Sequence, residues 1–313
     1  MEPASSTKLL AIEIGGTKLQ IVAGDGTGRI YHRHRFVVDP TRGGVGIREQ
    51  MEKALGSLMT GLSPVAIGVG FGGPVDWRTG TTCCSHQVEG WAGFALGEWL
   101  RNLTGLPIVV ENDSNTAALG EAHCGAGRGS NPVFYFNMGS GMGGGLIVDG
   151  KIYHGEKPGE VEFGHLKLDR QGTTVESRCS GWAVDRRIRA LATLKPEGRL
   201  ARLVGEITGG EATHLVAALA AGDDTAQEVI DETAADLGFA LSHVVHLFHP
   251  KIVVVGGGLS LLGEPLRAAV EKAMRAHVME AFQPGPVVRQ AELKEDSVPV
   301  GALLLAEAAA VGG

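Results

Sequence analysis

Polar or glycine-rich clusters directly follow several apolar, β-branched runs in this chain, and this order is the feature that most limits its fold. The clusters occupy residues 13–18 (EIGGTK), 111–115 (ENDSN) and 139–145 (GSGMGGG). Since each begins where an apolar run ends, each is predicted to lie at a corner between a strand and a turn. Glycine corners let backbone N–H groups approach phosphate, and a carboxylate nearby is placed to act on a hydroxyl. The pattern therefore indicates an α/β protein whose chemistry moves phosphate onto an alcohol.

Composition narrows the class of protein. A chain of 313 residues is longer than one compact core usually holds, so two domains are expected. Its 48 glycines are roughly twice the usual share, which suits backbone-lined ligand loops. A net charge of −7, no run of basic residues and only 5% aromatic residues argue against nucleic acid as a partner.

Targeting and redox signals are also informative. No apolar stretch approaches the roughly 18–20 residues of a membrane helix, and the N-terminus lacks a signal-peptide pattern. The four cysteines show no CxxC spacing, so we expect free thiols in a reducing cytosol. A cytoplasmic protein without a membrane partner is the prediction.

Apolar periodicity predicts the order of the elements. Strands are expected at 8–14, 18–23, 29–38, 65–70, 108–110, 133–138, 145–148, 251–255 and 287–290. Helices are expected at 46–59, 94–103, 115–122, 212–247 with a break near Gly222, and 301–310. Asp149 and Gly150 predict a hairpin turn. Because a strand, a turn and glycines open both halves, we expect two related α/β lobes facing each other across a cleft.

Two interpretations exist for each cluster. Gly15 and Gly16 either let the backbone approach phosphate, with Thr17 and Lys18 adding a hydroxyl and a charge, or form a plain hairpin turn. The same choice applies to residues 139–145, although that many glycines cost backbone entropy and so favour phosphate contact. Asn112, Asp113 and Ser114 all suit the N-cap of the helix that follows, and the residues alone favour a capping role for Asp113 over that of a general base for a hydroxyl.

Five motifs in series carry a resemblance to a known family. They occupy residues 13–18, 112–121, 139–145, 162–165 and 255–258. Over nearly its whole length the chain resembles the ROK family of sugar kinases and the bacterial glucokinases beside it. The resemblance implies an actin-like, hexokinase-like ATPase fold of duplicated ribonuclease H-like domains with an interlobe cleft. It divides the chain into a small lobe of residues 1–114 plus 300–313 and a larger lobe of residues 115–299.

The resemblance also implies an activity. A kinase of this kind phosphorylates the primary hydroxyl of a hexose with ATP and Mg²⁺, with glucose as the leading substrate here and a homodimer as the expected assembly. The alternatives are a kinase for an N-acetylhexosamine, fructose or another hexose, and a non-catalytic sugar-sensing protein. Sugar-responsive repressors carry a helix-turn-helix domain ahead of the first glycine motif, where only about a dozen residues stand in this sequence, so a regulator is disfavoured.

The resemblance assigns roles residue by residue. It makes Asp113 the general base. The residues it implies for sugar binding are Gly73, Gln87, Asn112, Glu162, His165 and Glu176. The residues it implies for nucleotide binding are Gly15, Gly16, Thr17, Lys18, Gly139, Ser140, Gly141, Gly256 and Gly257. Without the resemblance, a surface carboxylate and a satisfied histidine are the alternative interpretations of Glu162 and His165.

Two departures from the family pattern concern metals. The first motif usually begins with aspartate, whereas Glu13 stands here, so its contact with Mg²⁺ is expected through water. Most ROK proteins carry a cysteine-rich zinc motif near residues 176–181, but Cys179 is the only cysteine of this segment. Since a tetrahedral zinc site needs four good ligands, no zinc site is predicted. The segment instead resembles the glucokinase pattern, which is why Glu176 is assigned to the sugar.

Overall fold

The computed structural model describes residues 8–85, 87–159 and 161–312. The strands are β1 Leu9–Ile14, β2 Lys18–Gly24, β3 Ile30–Val37, β4 Ile67–Phe71, β5 Val75–Asp76, β6 Thr81–Thr82, β7 Ile108–Asn112, β8 Val133–Asn137, β9 Gly144–Val148, β10 Lys151–Ile152, β11 Ile252–Gly256 and β12 Val287–Gln290. The α-helices are α1 Gly43–Leu62, α2 Leu96–Thr104, α3 Asp113–Cys124, α4 Val175–Cys179, α5 Gly181–Leu194, α6 Arg199–Val204, α7 Leu215–Ala220, α8 Asp224–Phe248, α9 Glu264–His277 and α10 Ser297–Gly312. Among the described residues, no helix combines the length and apolar character that a membrane crossing requires.

Two five-stranded sheets repeat one strand order. The first runs β3-β2-β1-β4-β7 and the second β10-β9-β8-β11-β12. In the first sheet β1 pairs antiparallel with β2 and parallel with β4, and β4 pairs parallel with β7. In the second, β11 pairs parallel with both β8 and β12. This repetition is what a duplicated α/β unit produces, as the glycine corners of both halves predict.

Contacts between Cα atoms divide the chain into two compact units. Unit 1 holds the described residues up to Gly129, Gly145–Val161 and those from Glu295 onward, and unit 2 holds Ser130–Gly144 and Glu162–Lys294. Residue 114, where the first lobe was expected to end, is the second residue of α3. In the structure α3 lies in unit 1 because it packs closely against α10.

Unit 1 has apolar layers on both faces of its sheet. Side chains alternate along β1, so Leu10 and Ile12 pack with α1 while Leu9 and Ala11 pack with α10. The strand is buried on both sides, which explains why it reads as a continuous apolar run rather than an alternating one.

Glycines allow α3 and α10 to cross at short range in unit 1. A Cβ on Gly301 would overlap the backbone carbonyl of Thr116, and one on Gly120 would overlap that of Ser297. The Ser297 hydroxyl also donates to Glu121 at 2.7 Å, and that carboxylate is fully buried. The crossing therefore requires the absence of a side chain at two positions.

Unit 2 is built around its parallel strands and the pair α8 and α9. Phe134, Phe136 and Phe163 form a buried aromatic cluster with ring centroids 5.0–5.7 Å apart. Helices α8 and α9 pack closely at Gly238, where a Cβ would lie 2.5 Å from the side chain of Ala273. The aromatic cluster and the close contact of α8 with α9 at Gly238 thus form the core from which the loops of unit 2 extend.

The predicted elements are largely confirmed. Every predicted strand is present with its ends within two residues of the expected ones, and the long helical stretch breaks at Gly222, whose φ is 72°. The hairpin turn at Asp149 and Gly150 has positive φ at both residues, as that turn requires. Sequence reasoning missed α4, α5 and α6, because Gly181 and Gly198 interrupt the apolar pattern there.

The close crossing gives a stability prediction. Gly301→Ala should lower the free energy of unfolding by about 1–3 kcal/mol, since the methyl group is forced against backbone. Gly56→Ala is the matched control, because Gly56 is helical with nothing within 4 Å of its Cβ position, and it should raise stability by about 0.5–1 kcal/mol. Urea denaturation measures both, and equal effects of the two substitutions would contradict the packing argument.

Candidate active site

The first glycine cluster forms a tight turn between β1 and β2 in unit 1. Gly15 N–H donates to the carbonyl of Lys18 at 2.9 Å, and Val38 N–H donates to the carbonyl of Thr17 at 3.2 Å. The hairpin interpretation is therefore confirmed as local structure. It does not compete with phosphate binding, because a hairpin turn at a strand end is also a place where backbone reaches a ligand.

Glu13 has two side-chain partners on this hairpin. Lys18 Nζ lies 3.1 Å from its carboxylate, and Gln20, its cross-strand neighbour, donates a second hydrogen bond. The carboxylate is partly buried, with 13% of the side chain exposed. A direct metal contact would compete with the lysine ammonium, so this arrangement fits a contact through water.

The described residues contain no group of three His, Cys, Asp or Glu side chains suited to hold a metal. Mg²⁺ usually keeps several waters and is bound by one or two carboxylates together with substrate phosphates. Glu13 therefore fits an ion that arrives with a nucleotide.

Loops from three parallel strands meet at one edge of the unit 1 sheet. Strands β1, β4 and β7 run parallel, so their carboxyl ends lie together, and they end at Ile14, Phe71 and Asn112. Gly72 N–H donates to the carbonyl of Ile14 at 2.8 Å. The predicted residues of the first turn, the Gly73 loop and the Asn112 corner are thus neighbours within this unit.

Asn112 is the N-cap of α3. Its Oδ1 accepts from the N–H groups of Ser114 and Asn115 at 2.9 and 3.1 Å, and its Nδ2 donates to the carbonyl of Gly73 at 3.2 Å. The side chain is buried, with 8% exposed. Asn112 therefore anchors the start of α3 to the Gly73 loop.

Asp113 is the first residue of α3, and the alternative that made it the N-cap is wrong. Ser114 Oγ donates to its carboxylate at 3.2 Å, and its Oδ2 lies 3.5 Å from the Cβ position of Gly72. The carboxylate is partly exposed at the strand edge. Since Asn112 is the N-cap of α3, a capping role does not explain the aspartate at position 113.

Gln87 lies over the first glycine turn. A Cβ on Gly16 would overlap the Gln87 side chain, and the Gln87 N–H donates to Ser85 Oγ at 3.4 Å. The structure therefore brings this predicted sugar ligand against a predicted phosphate-binding glycine, and its role stays a prediction. His86, next to it, lies outside the described residues.

The second glycine cluster forms a loop between β8 and β9. Asn137, which sequence reasoning missed, closes it: the backbone N–H of Asn137 donates to the Gly143 carbonyl at 3.1 Å, and the Gly143 N–H donates to Asn137 Oδ1 at 2.8 Å. Inside the loop, Gly139 N–H donates to Gly141 at 3.0 Å. The signal available in the sequence was an asparagine beside a glycine run, because a side-chain amide there can pair with backbone groups.

Glu176 contacts this loop directly. Its Oε2 accepts from the N–H of Met142 at 2.8 Å and lies 3.0 Å from the Cβ position of Gly141. Helix α4, which carries Glu176, begins with a capping box between Thr174 and Ser177. The structure thus places this predicted sugar ligand beside the predicted nucleotide loop of the same unit.

Glu162 and His165 flank a buried anchor. Phe163 is 1% exposed, and Gly164 packs so closely on Met142 that a Cβ there would overlap its carbonyl. The Glu162 and His165 side chains are half or more exposed, with 3.9 Å between Oε2 and Nε2. Both side chains therefore project from a fixed backbone next to the glycine loop, which suits a ligand contact.

The third glycine run packs on Met138, at the start of the same loop. Gly256 accepts from Met138 N–H at 2.9 Å. Gly257 has a φ of 78°, and a Cβ there would lie 2.6 Å from the Met138 backbone. Glycine is required at this position both by conformation and by space.

Cys179 is buried between α4 and α8. It is fully inaccessible, its Sγ faces the carbonyl of Thr233 at 3.9 Å, and burial raises the pKa of its thiol to about 12. Because the thiolate is the form that binds metal, a protonated buried thiol is a poor ligand. The absence of a zinc site stays a prediction that this environment supports.

Comparison with known proteins identifies the class and then the family. The repeated sheets and glycine corners define the actin-like, hexokinase-like ATPase fold. The ROK family model matches residues 9–309, so the chain belongs to the ROK family, and the predicted family is confirmed.

Several relatives match along their whole length. A glucokinase of Streptomyces coelicolor is 31% identical over 309 residues, which cover 95% of this chain and 96% of that protein. A beta-glucoside kinase of Listeria monocytogenes is 28% identical over 88% of each chain. The crystal structure of a ROK family glucokinase from Streptomyces griseus in complex with glucose and AMPPNP has a TM-score of 0.84 at 30% identity, covering 96% of this chain and 99% of that one.

The cysteines give a reactivity prediction. Burial raises the pKa of the Cys179 thiol and shields it from solvent, so iodoacetamide should label exposed Cys83 in the native protein and Cys179 only after unfolding. Peptide mass spectrometry of the labelled protein gives the rates. Equal labelling of the two thiols in the folded protein would contradict the packing of α4 against α8.

Proposed function

We propose that this chain transfers the γ-phosphate of ATP to the primary hydroxyl of glucose, with Asp113 as the general base. The coarser statement, that it is an ATP-dependent sugar kinase, follows from its family and its full-length matches to glucokinases and a beta-glucoside kinase. The observation that supports the finer proposal is that Asn112, and not Asp113, caps α3. The Asp113 carboxylate at the strand edge is therefore not used as the N-cap.

In the proposed reaction the Asp113 carboxylate accepts the proton of the sugar hydroxyl while that oxygen attacks the γ-phosphorus in line. Phosphoryl transfer depends mainly on positioning and on stabilisation of charge, so the base must be held in place more than it must be strong. The cap and the hydrogen bond from Asn112 to Gly73 supply that positioning.

Each unit has residues that are proposed to bind sugar. In unit 1 they are the Asn112 amide, the Gly73 backbone and the Gln87 side chain. In unit 2 they are Glu162, His165 and Glu176, which project around the Phe163 anchor and the glycine loop. Carboxylates, an imidazole and amides supply both donors and acceptors, and a sugar with several hydroxyls needs both.

The proposed nucleotide contacts are the glycine corners. The turn of Gly15, Gly16, Thr17 and Lys18 and the loop of Gly139, Ser140 and Gly141 are proposed to bind phosphate oxygens through backbone and hydroxyl groups. The N–H groups of Gly15 and Gly139 are excepted, because they pair within the turns. Gly256 and Gly257 are assigned to the adenosine. Mg²⁺, held through water by Glu13, would neutralise the charge that develops on the phosphates.

Glucose is proposed over other hexoses on the names of the relatives, since glucokinases are the matches at 30–31% identity. A beta-glucoside kinase among them keeps substituted sugars in the test. A cytoplasmic homodimer is proposed with the activity. A non-catalytic sugar-binding protein is the outcome to be excluded.

Asp113→Asn tests the base. Turnover in a coupled ADP-release assay with MgATP should fall about 10²-fold or more, because the amide cannot accept the proton. Glucose affinity by calorimetry should change little, since the amide keeps the shape of the carboxylate. Asp231→Asn, the same change at an exposed position of α8, is the matched control and should behave as wild type.

The substrate panel for this assay is glucose, mannose, fructose, N-acetylglucosamine, N-acetylmannosamine and a β-glucoside. A preference for a sugar other than glucose would replace the substrate and keep the base. Near-normal turnover of Asp113→Asn would refute the base, and sugar binding without turnover in the wild type would identify a sensor.

A further inference from the structure

A buried carboxylate lies two residues before the proposed base, and the proposed reaction does not use it. Glu111 is the penultimate residue of β7, and only 3% of its side chain is exposed. Its Oε1 accepts from the N–H of Asn112 at 2.9 Å and from Nδ2 of Asn115 at 3.2 Å. The carboxylate therefore holds the strand end and the first turn of α3 at the same time.

The second oxygen of Glu111 is held by a histidine that lies 43 residues further along the chain. His154 Nε2 is 2.5 Å from Glu111 Oε2. Since a carboxylate oxygen only accepts, this ring nitrogen carries the proton and donates it. Its charge-assisted hydrogen bond is of the strong kind.

The His154 ring is fixed from a further side. It stacks on Trp77, with centroids 4.1 Å apart and an interplanar angle of 17°. Trp77 lies in the turn after β5, where Lys157 pairs with Asp76 at 3.2 Å. His154 is thus held in one orientation by a neighbouring ring and by its own hydrogen bond.

Burying a carboxylate costs free energy unless both of its oxygens accept hydrogen bonds. Removing the partner of one oxygen leaves a buried charge without compensation, which strongly destabilises the folded arrangement around it. The donors on Oε1 are a backbone N–H and an amide, both neutral. The donor to Oε2 is His154. If the His154 donor is removed, the Glu111 side chain is expected to move toward water, because its charge has lost a partner. Asn112 N–H would lose its partner in that movement, and Asn112 is the residue that caps α3 and reaches Gly73.

We propose that His154 is a positioning residue of the phosphoryl transfer, which acts through Glu111 to hold the Asn112 corner and thereby the Asp113 carboxylate in line with the hydroxyl. The inference rests on the proposed role of Asp113. It concerns residues of unit 1 alone, and the juxtaposition of Glu111, His154 and Trp77 carries it.

Three histidine variants of the full chain separate the hydrogen bond from the packing. His154→Phe keeps a ring against Trp77 and removes the donor, whereas His154→Gln keeps an N–H donor and removes the ring. His123→Phe is the matched control, since His123 is an exposed α3 histidine in the same unit whose Nε2 contacts the carbonyl of Gly150 at 2.8 Å.

In the ADP-release assay, His154→Phe should lower kcat by about tenfold or more, because small displacements of a catalytic group cost large factors in rate. The KM and calorimetric affinity for the sugar should stay within about threefold of wild type, since substrate binding is not the target. His154→Gln should recover at least about a third of the lost kcat, and His123→Phe should match wild type. Thermal unfolding of each variant identifies the fraction that is folded.

A double-mutant cycle with Glu111→Gln tests whether His154 acts through Glu111. The pair Glu111→Gln with His154→Phe should be no slower than the slower single variant, because both remove one shared interaction. Multiplicative losses in kcat, or a loss confined to KM, would overturn the proposal. A fall in kcat that follows only the folded fraction would also overturn it.

The outcomes for Asp113 and His154 are separable. If Asp113→Asn keeps turnover, the proposed base is refuted, and the positioning proposal for His154, which rests on that base, is refuted with it. If Asp113→Asn is inactive while folded His154→Phe has the kcat of His123→Phe, the base stands and the positioning proposal alone is refuted.

Discussion

Parallel pairing of β1, β4 and β7 is the constraint on which the unit 1 site depends. It brings the carboxyl ends of three strands to one sheet edge, so that turns separated by tens of residues become neighbours. The Gly72 N–H bond to Ile14 and the Asn112 bond to Gly73 then tie these turns to one another. The base position is therefore a consequence of strand register, because a shift of one residue in β7 would turn Asn112 to the opposite face and displace the start of α3 with it.

Unit 2 carries a glycine-rich loop that keeps a defined shape although most of its residues lack side chains. Its glycine loop is held by Asn137 at its ends, by Met138 against the Gly256 run and by Glu176 at Met142. These contacts use side-chain and backbone groups outside the loop, so the glycines themselves need no side chains to be ordered. If Glu176 also binds the sugar as proposed, one carboxylate both orders the proposed nucleotide-binding loop and contacts the sugar that accepts the phosphate.

Much of this was predictable from sequence, and the limits have physical causes. Strands are clear because burial on both faces makes them continuous apolar runs, and the corners are clear because glycine and polar residues interrupt those runs at once. The residues alone favoured a capping role for Asp113, and the family resemblance reversed that preference. The hydrogen bonds of Asn112 show that Asn112, and not Asp113, is the N-cap. His154 had no local signal, because its partner Glu111 is distant in sequence. Glu111 had one, as a charged residue inside an apolar strand.

The replacement of the usual aspartate by Glu13 has a consequence for the nucleotide side. The longer side chain reaches both Lys18 and Gln20 on the facing strand, so its charge is matched by the Lys18 ammonium. A matched carboxylate attracts Mg²⁺ less than an isolated one, yet it keeps Lys18 near the turn where phosphate is proposed to bind. Lys18 is only about one third exposed, so its ammonium is neither fully solvated nor buried. If phosphate binds at this turn as proposed, it would compete with Glu13 for the Lys18 ammonium, so a glutamate at this position is compatible with the proposed contact to Mg²⁺ through water.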